Sequence, residues 1–227
     1  MKAMILAAGR GERMRPLTDI TPKPLLQAGP QRLIEYHLTN LARAGFKDVI
    51  INVAWLGQQI IDAIGNGEKY NLNISYSNEG DQALETGGGI YNALTLLGDD
   101  AFLVLNGDVW TDYPFEKLRE FKLEDKAHLV LVENPEHNPQ GDFAISDGRL
   151  LNNAAVKYTF SGIGIYAKEF FTTSSNGKYP LAPMIRDYID ANQISGEVYQ
   201  GQWIDIGTPQ RLESLNKCLH KNKKADQ

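Results

Sequence analysis

The chain reads as an α/β protein, a mixed, mostly parallel sheet with helices on both faces. Two observations predict it. Short apolar runs alternate with segments of helical periodicity from Lys2 to Asn134, the pattern of βαβ units. Beyond Pro135 the runs shorten and are separated by Gly-Asp and Asp-Gly steps, which predict antiparallel strands added to the sheet.

The elements follow in order. KAMILAA (Lys2 to Ala8) is an apolar run of strand length. In RLIEYHLTNLARAGF, residues Leu33, Ile34, His37, Leu38, Leu41 and Ala42 share a helical face that Gly45 closes. DVIINV (Asp48 to Val53) is a strand, QQIIDAIG a helix, NISYS a strand, and Thr86 to Leu97 a helix with a glycine-rich start. AFLVLNGD (Ala101 to Asp108) is a strand running into a turn, and AHLVLVEN (Ala127 to Asn134) is another. GDFAIS, RLLN and YTFSGIGIY are the short antiparallel segments. LAPMIRDYIDANQ is a helix, VYQGQWIDI a strand, and a last helix starts at Thr208, leaving HKNKKADQ as a frayed, solvated tail. With no repeat and no low-complexity linker, residues 1–227 are expected to form one domain, without a C-terminal β-helix.

Composition excludes several classes of function. Lysine plus arginine number 23 against 28 acids, a net charge of −5, so no general affinity for nucleic acid or an anionic membrane is expected. The single cysteine, Cys218, rules out a disulfide framework within the chain and fits a reducing compartment. The apolar run of MKAMILAAGRG is too short for a secretory signal, and a cytoplasmic location is expected. The histidines His37, His128, His137 and His220 are scattered, which argues against a zinc site.

In open α/β sheets ligands gather where strands end and loops leave the sheet. The unusual chemistry of this sequence lies at those ends. LAAGRGERMRPLT (Leu6 to Thr18) follows the first strand, ETGGG (Glu85 to Gly89) another, and NGD with Asp108 closes a further one. The first stretch is neither a P-loop, lacking Gly-Lys-Ser/Thr, nor a dinucleotide fingerprint, because Met14 stands where the third glycine would fall. In TPKP, Pro22 and Pro24 would hold Lys23 on a stiff extended segment as a fixed charge for phosphate. Backbone amides, cations and a carboxylate converging in one pocket make the inventory of a nucleoside triphosphate site.

LAAGRGERMRPLT, PKPL, LNGD (Leu105 to Asp108) and WIDIGTP (Trp203 to Pro209) together resemble the signature of sugar-1-phosphate nucleotidyltransferases, over Met1 to about Arg211. The resemblance implies a Rossmann-like, glycosyltransferase-A-like fold and an enzyme that joins a sugar 1-phosphate to a nucleoside triphosphate with release of pyrophosphate. It implies catalytic roles for Arg13 and Lys23 on the phosphates, and for Asp108 and Asp205 as carboxylates holding Mg2+. Leu6, Ala7, Ala8, Gly9, Gly11, Glu79, Glu85, Thr86 and Gly87 would complete the nucleotide site. The sugar would meet Asn106, Gly141, Asn153, Ser161 and Gly162, partly in an antiparallel portion at about 135–170. Many relatives carry glutamine near Glu79 and glycine at the place of Glu85, and from the residues alone both acids read equally well as solvated loop acids.

LETGGGI, LNGDVWTDY, GDF and TFSGIGIY resemble, within that family, the N-acetylmuramate-1-phosphate uridylyltransferases of bacterial cell-wall recycling. The substrates implied are UTP and N-acetylmuramic acid 1-phosphate, with Lys157 or Arg149 as the cation for the lactyl carboxylate. Mannose-1-phosphate guanylyltransferase and glucose-1-phosphate thymidylyltransferase are the neighbouring enzymes, and a catalytically silent nucleotide-sugar sensor is the non-enzyme alternative.

Overall fold

A computed structural model describes residues 1–80 and 82–225. The strands are β1 (Ala3–Leu6), β2 (Gln27–Ala28), β3 (Gln31–Arg32), β4 (Asp48–Val53), β5 (Asn73–Asn78), β6 (Phe102–Asn106), β7 (Val109–Thr111), β8 (Ala127–Val132), β9 (Ala144–Ser146), β10 (Arg149–Leu151), β11 (Thr159–Tyr166), β12 (Ile194–Tyr199) and β13 (Trp203–Asp205). The α-helices are α1 (Leu33–Arg43), α2 (Gly57–Ile64), α3 (Glu85–Leu97), α4 (Phe115–Glu120), α5 (Ala182–Asp190) and α6 (Pro209–Ala225). Nine strands form one sheet in the order β5-β4-β1-β6-β11-β8-β12-β10-β9. The pairings make β11 and β10 run against the other seven, so the sheet is mixed and mostly parallel. No helix among the described residues is long and apolar enough to cross a membrane.

Alternation of side chains along the strands divides the interior between the two faces. On one face Ala3 and Ile5 of β1 and Leu103 and Leu105 of β6 pack with Ile34, Leu38 and Leu41 of α1, Ile60 of α2 and Leu118 of α4. On the other, Met4, Phe102 and Val104 pack with Ile90 and Ala93 of α3 and Ile185 and Ile189 of α5. A third, smaller cluster joins α6 to the loop after β1: Met14 is fully buried with Leu26, Leu33, Ile206 and Leu215. The methionine that breaks the glycine fingerprint is thus the anchor of its loop.

TFSGIGIY forms β11, antiparallel to both of its neighbours, between β6 and β8 at the centre of the sheet, while β9 and β10 lie at the far edge. Two expectations are corrected. VYQGQWIDI is two strands, because the chain turns at Gln200–Gln202, where Asp112 accepts hydrogen bonds from the Gln202 amide (2.7 Å) and the Tyr199 hydroxyl (2.5 Å). β13 then leaves the large sheet and pairs with β7. The last helix runs to Ala225, through most of the segment expected to fray, and residues 226–227 lie outside the described residues.

α1 is fixed at its start by Glu35, whose carboxylate accepts from the Arg32 amide (2.9 Å), the Tyr70 hydroxyl (2.6 Å) and the Lys69 ammonium (2.9 Å). Burial pushes the Glu35 carboxyl up, but the Tyr70, Arg32 and Lys69 contacts outweigh it and hold the group down at about 2 against an ordinary 4.5. A depressed folded-state pKa stabilises above the unfolded value, and that contribution is lost as pH falls through the folded one. Tyr70→Phe should therefore cost about 1.5–3 kcal/mol near neutral pH by urea unfolding. The deficit should shrink as pH is lowered from 4.5 toward about 2, and a pH-independent deficit would contradict this role.

Candidate active site

Parallel pairing aligns the carboxyl ends of β4, β1 and β6, so that Asn52 and Asn106 flank Leu6 in register. Above these ends opens a cleft of about 420 Å³. Of the residues singled out from sequence, Leu6, Ala7, Ala8, Gly9, Gly11, Arg13, Lys23, Glu79, Glu85, Thr86, Asn106 and Asp108 line it. Asn52, Ala83 and Gly207 line it as well and were not expected.

The loop after β1 is built by local constraints. Gly11 has φ +67°, and a side chain there would lie 3.0 Å from Thr18 and 3.3 Å from Lys23. A Cβ on Gly9 would meet nothing within 4 Å, so the room beside that backbone belongs to the cleft. The three arginines divide their tasks. Arg10 stacks on Trp55 at 4.2 Å and Arg15 pairs with Asp19 at 3.2 Å, whereas Arg13, exposed at the cleft wall, forms no ion pair among the described residues. Lys23 follows an extended Pro22 but opens a one-turn helix (Lys23–Leu25), a correction to the extended segment expected. Its side chain is only 9% exposed and its ammonium lies 2.5 Å from Asp108 Oδ2. The Gly107 amide donates to the Leu6 carbonyl at 2.9 Å and brings the Asp108 turn against the end of β1.

Glu79 is no solvated loop acid. It accepts from Asn52 Nδ2 (2.6 Å) and the Leu84 amide (2.6 Å), while Asn52 Oδ1 accepts from the Ala7 amide (2.7 Å). Burial raises its pKa, and the Leu84 and Asn52 hydrogen bonds pull the other way. A buried asparagine at the end of the apolar strand DVIINV was the sequence signal for this relay. Glu85 sits at φ +60°, a left-handed conformation that suits glycine and is strained for glutamate. Gly87 does not reach the cleft; it packs against Tyr179, whose carbonyl accepts its amide at 3.1 Å.

Asp205 stands opposite Val109, and the Ile206 amide donates to the Asp108 carbonyl at 2.9 Å, so both aspartates lie at one strand junction. Asp205 Oδ2 is held by Arg211 Nη1 (2.6 Å) and lies 3.2 Å from His137 Nε2. Neither partner was expected from sequence. Among the described residues no three His, Cys, Asp or Glu side chains cluster as a metal cage. Carboxylate oxygens are the donors that a hard divalent ion takes, with waters and phosphates completing its shell.

The residues expected to meet a sugar are spread out. Asn106 lines the cleft, and Gly162 packs directly behind it. Ser161 is 1% exposed and donates to the Val130 carbonyl at 2.6 Å, so its hydroxyl is spent inside the sheet instead of facing a ligand. Asn153 is exposed in the loop after β10 and lines neither this cleft nor the second cavity, whereas Gly141 lines the second, of about 480 Å³. Trp203 donates to the Ser161 carbonyl at 2.9 Å and Trp110 packs on Tyr36, both packing roles.

A family model described as nucleotidyl transferase matches residues 2–143. The chain belongs to the nucleotidyl transferase family. It is 51% identical over 221 residues, 94% of this chain and 96% of the other, to the N-acetylmuramate alpha-1-phosphate uridylyltransferase of Neisseria meningitidis serogroup B. To the mannose-1-phosphate guanyltransferase of Yarrowia lipolytica it is 32% identical over 97% of its own length and spans 64% of that relative. Solved structures share the fold: a Bacillus anthracis protein crystallised with sucrose (TM-score 0.86, 21% identity, 96% and 95% of the two chains) and HddC from Yersinia pseudotuberculosis with GMP-PN (TM-score 0.78, 22%, 96% and 98%).

Gly162 generates a prediction within this transferase. It has φ +78°, and a side chain there would come within 2.4 Å of Asn106 Nδ2. Gly162→Ala should cost about 1–3 kcal/mol in urea unfolding and lower turnover by displacing Asn106. An alanine variant with wild-type stability and activity would show that this contact does not set the cleft.

Proposed function

We propose that the protein transfers a uridylyl group from UTP to N-acetylmuramic acid 1-phosphate, giving UDP-N-acetylmuramic acid and pyrophosphate, in the cytoplasm and in the service of peptidoglycan recycling. One observation carries the transfer chemistry: the open backbone at Gly9, Arg13 with no ion pair among the described residues, and the Lys23–Asp108 pair share one cleft. The choice of base and sugar is supported by 51% identity, over nearly the whole of both chains, to a uridylyltransferase of that specificity.

The attacking group of a sugar 1-phosphate is already an anionic oxygen, so no general base is required. The task is to bring two polyanions together and to support charge on the departing pyrophosphate. Arg13 and Lys23 supply that positive charge, and the loop amides between Gly9 and Gly11 give hydrogen bonds to phosphate oxygens. Lys23 is bound to Asp108. A phosphate entering the cleft competes for the ammonium and leaves the Asp108 carboxylate to a cation. Asp108 and Asp205 would hold the magnesium ion, which when bound neutralises phosphate charge and aligns the reacting groups. Glu79, which is fixed through Asn52 to the end of β1, would face the base.

Pyrophosphate release with magnesium, for UTP, GTP and dTTP each paired with the 1-phosphates of N-acetylmuramate, mannose and glucose, tests this reading. UTP with N-acetylmuramate 1-phosphate should exceed every other pairing by about 100-fold or more in kcat/KM. Dominance of GTP with mannose 1-phosphate would overturn the substrate assignment, and silence throughout would favour a sensor. Asp108→Ala should reduce kcat by about 100- to 1000-fold; full magnesium-dependent turnover by that variant would remove Asp108 from the mechanism.

A further inference from the structure

The second cavity has a lining unlike that of the first. Asn134 and Gly141 form one wall and Ala154, Ala155, Val156 and Lys157 another. Among its lining residues there is one cation and no carboxylate. Val156 is 65% exposed and its two alanine neighbours are exposed as well, an apolar lip where a loop would ordinarily be polar. Such a wall suits a small group that carries one negative charge and a methyl.

Lys157 is held at its base and free at its tip. Its carbonyl accepts from Asn134 Nδ2 at 2.9 Å, and Asn134 is itself fixed by the Thr159 hydroxyl, which donates to its Oδ1 at 2.9 Å. A side chain on Gly141 would come within 2.9 Å of the Lys157 carbonyl carbon, so the two backbones are in close contact. No ion pair engages the Lys157 ammonium among the described residues. The other candidate, Arg149, sits on β10 outside this cavity with its guanidinium 2.6 Å from Asp125. Arg211 and His137 contact Asp205 instead.

The cavity is coupled to the reaction centre by two elements. The loop bounded by Asn134 and Gly141 carries His137 at its tip, 3.2 Å from Asp205. β11, entered two residues after Lys157, leads to Gly162 behind Asn106 of the first cleft. These two elements connect the surroundings of Asp205 and Asn106 with the lining of the second cavity.

We propose that the Lys157 ammonium binds the carboxylate of the sugar's 3-O-lactyl group, with the Ala154–Val156 lip against its methyl, and so makes the enzyme prefer N-acetylmuramate 1-phosphate to N-acetylglucosamine 1-phosphate. This rests on the function proposed above. Steady-state kinetics with UTP and each of the two sugar phosphates decide it, in the wild-type protein, Lys157→Met and Lys157→Arg. The ratio of the two kcat/KM values cancels the fraction of enzyme that is folded, so lost stability does not imitate lost recognition. In Lys157→Met the preference should fall about 10- to 100-fold, the worth of a charge-assisted hydrogen bond. The fall should come through a higher KM for the muramate substrate, and Lys157→Arg should restore most of it. A preference within twofold of wild type in Lys157→Met, or an equal fall for both sugars, overturns the assignment. A wild-type enzyme with no preference for the muramate substrate contradicts the proposed function itself.

Discussion

The site depends on the ion pair between Lys23 and Asp108, 2.5 Å apart, with the lysine side chain almost wholly out of water. A desolvated ammonium is costly unless it is paired, and removing its carboxylate would strand it. The pair also ties together two segments distant in sequence: the prolines around Lys23 and the turn after β6. Met14 buried against α6, the left-handed Gly11 and the Gly107 amide on the Leu6 carbonyl all serve to bring these two charges together.

The same economy governs the other charges. Arg10 and Arg15 are occupied by Trp55 and Asp19, which leaves Arg13 to the cleft. Asp205 is held by Arg211 and approached by His137, so the second carboxylate is oriented by side chains from α6 and from the loop that walls the second cavity. The cleft and the sugar-side cavity are thereby linked through side chains as well as through β11.

Much of this was legible in the sequence because it is local. Apolar runs ending in glycine or in Asn-Gly-Asp announced the strands and their carboxyl ends, and the basic stretch after β1 announced an anion. What escaped depends on contacts between distant segments. Ser161 looked available, but a strand at the centre of the sheet turns its hydroxyl onto the neighbouring Val130 carbonyl. Glu79 read equally well as a loop acid, since nothing local shows that Asn52 reaches it from β4. Arg149 and Lys157 could not be ranked until Asp125 was found beside one of them. The break between β12 and β13 was missed because Gln200 to Gln202 is short and only Asp112, far away in sequence, stabilises the turn.

The central claim is that phosphate and cation divide the Lys23–Asp108 pair between them when the nucleotide binds. Calorimetric titration of UTP into wild-type protein and Asp108→Asn, each with and without magnesium, tests it directly. The account predicts that Asp108→Asn binds UTP at least as well as wild type without magnesium, its lysine being released, and loses most of the gain in affinity that magnesium gives. An undiminished magnesium-dependent gain in Asp108→Asn would contradict it.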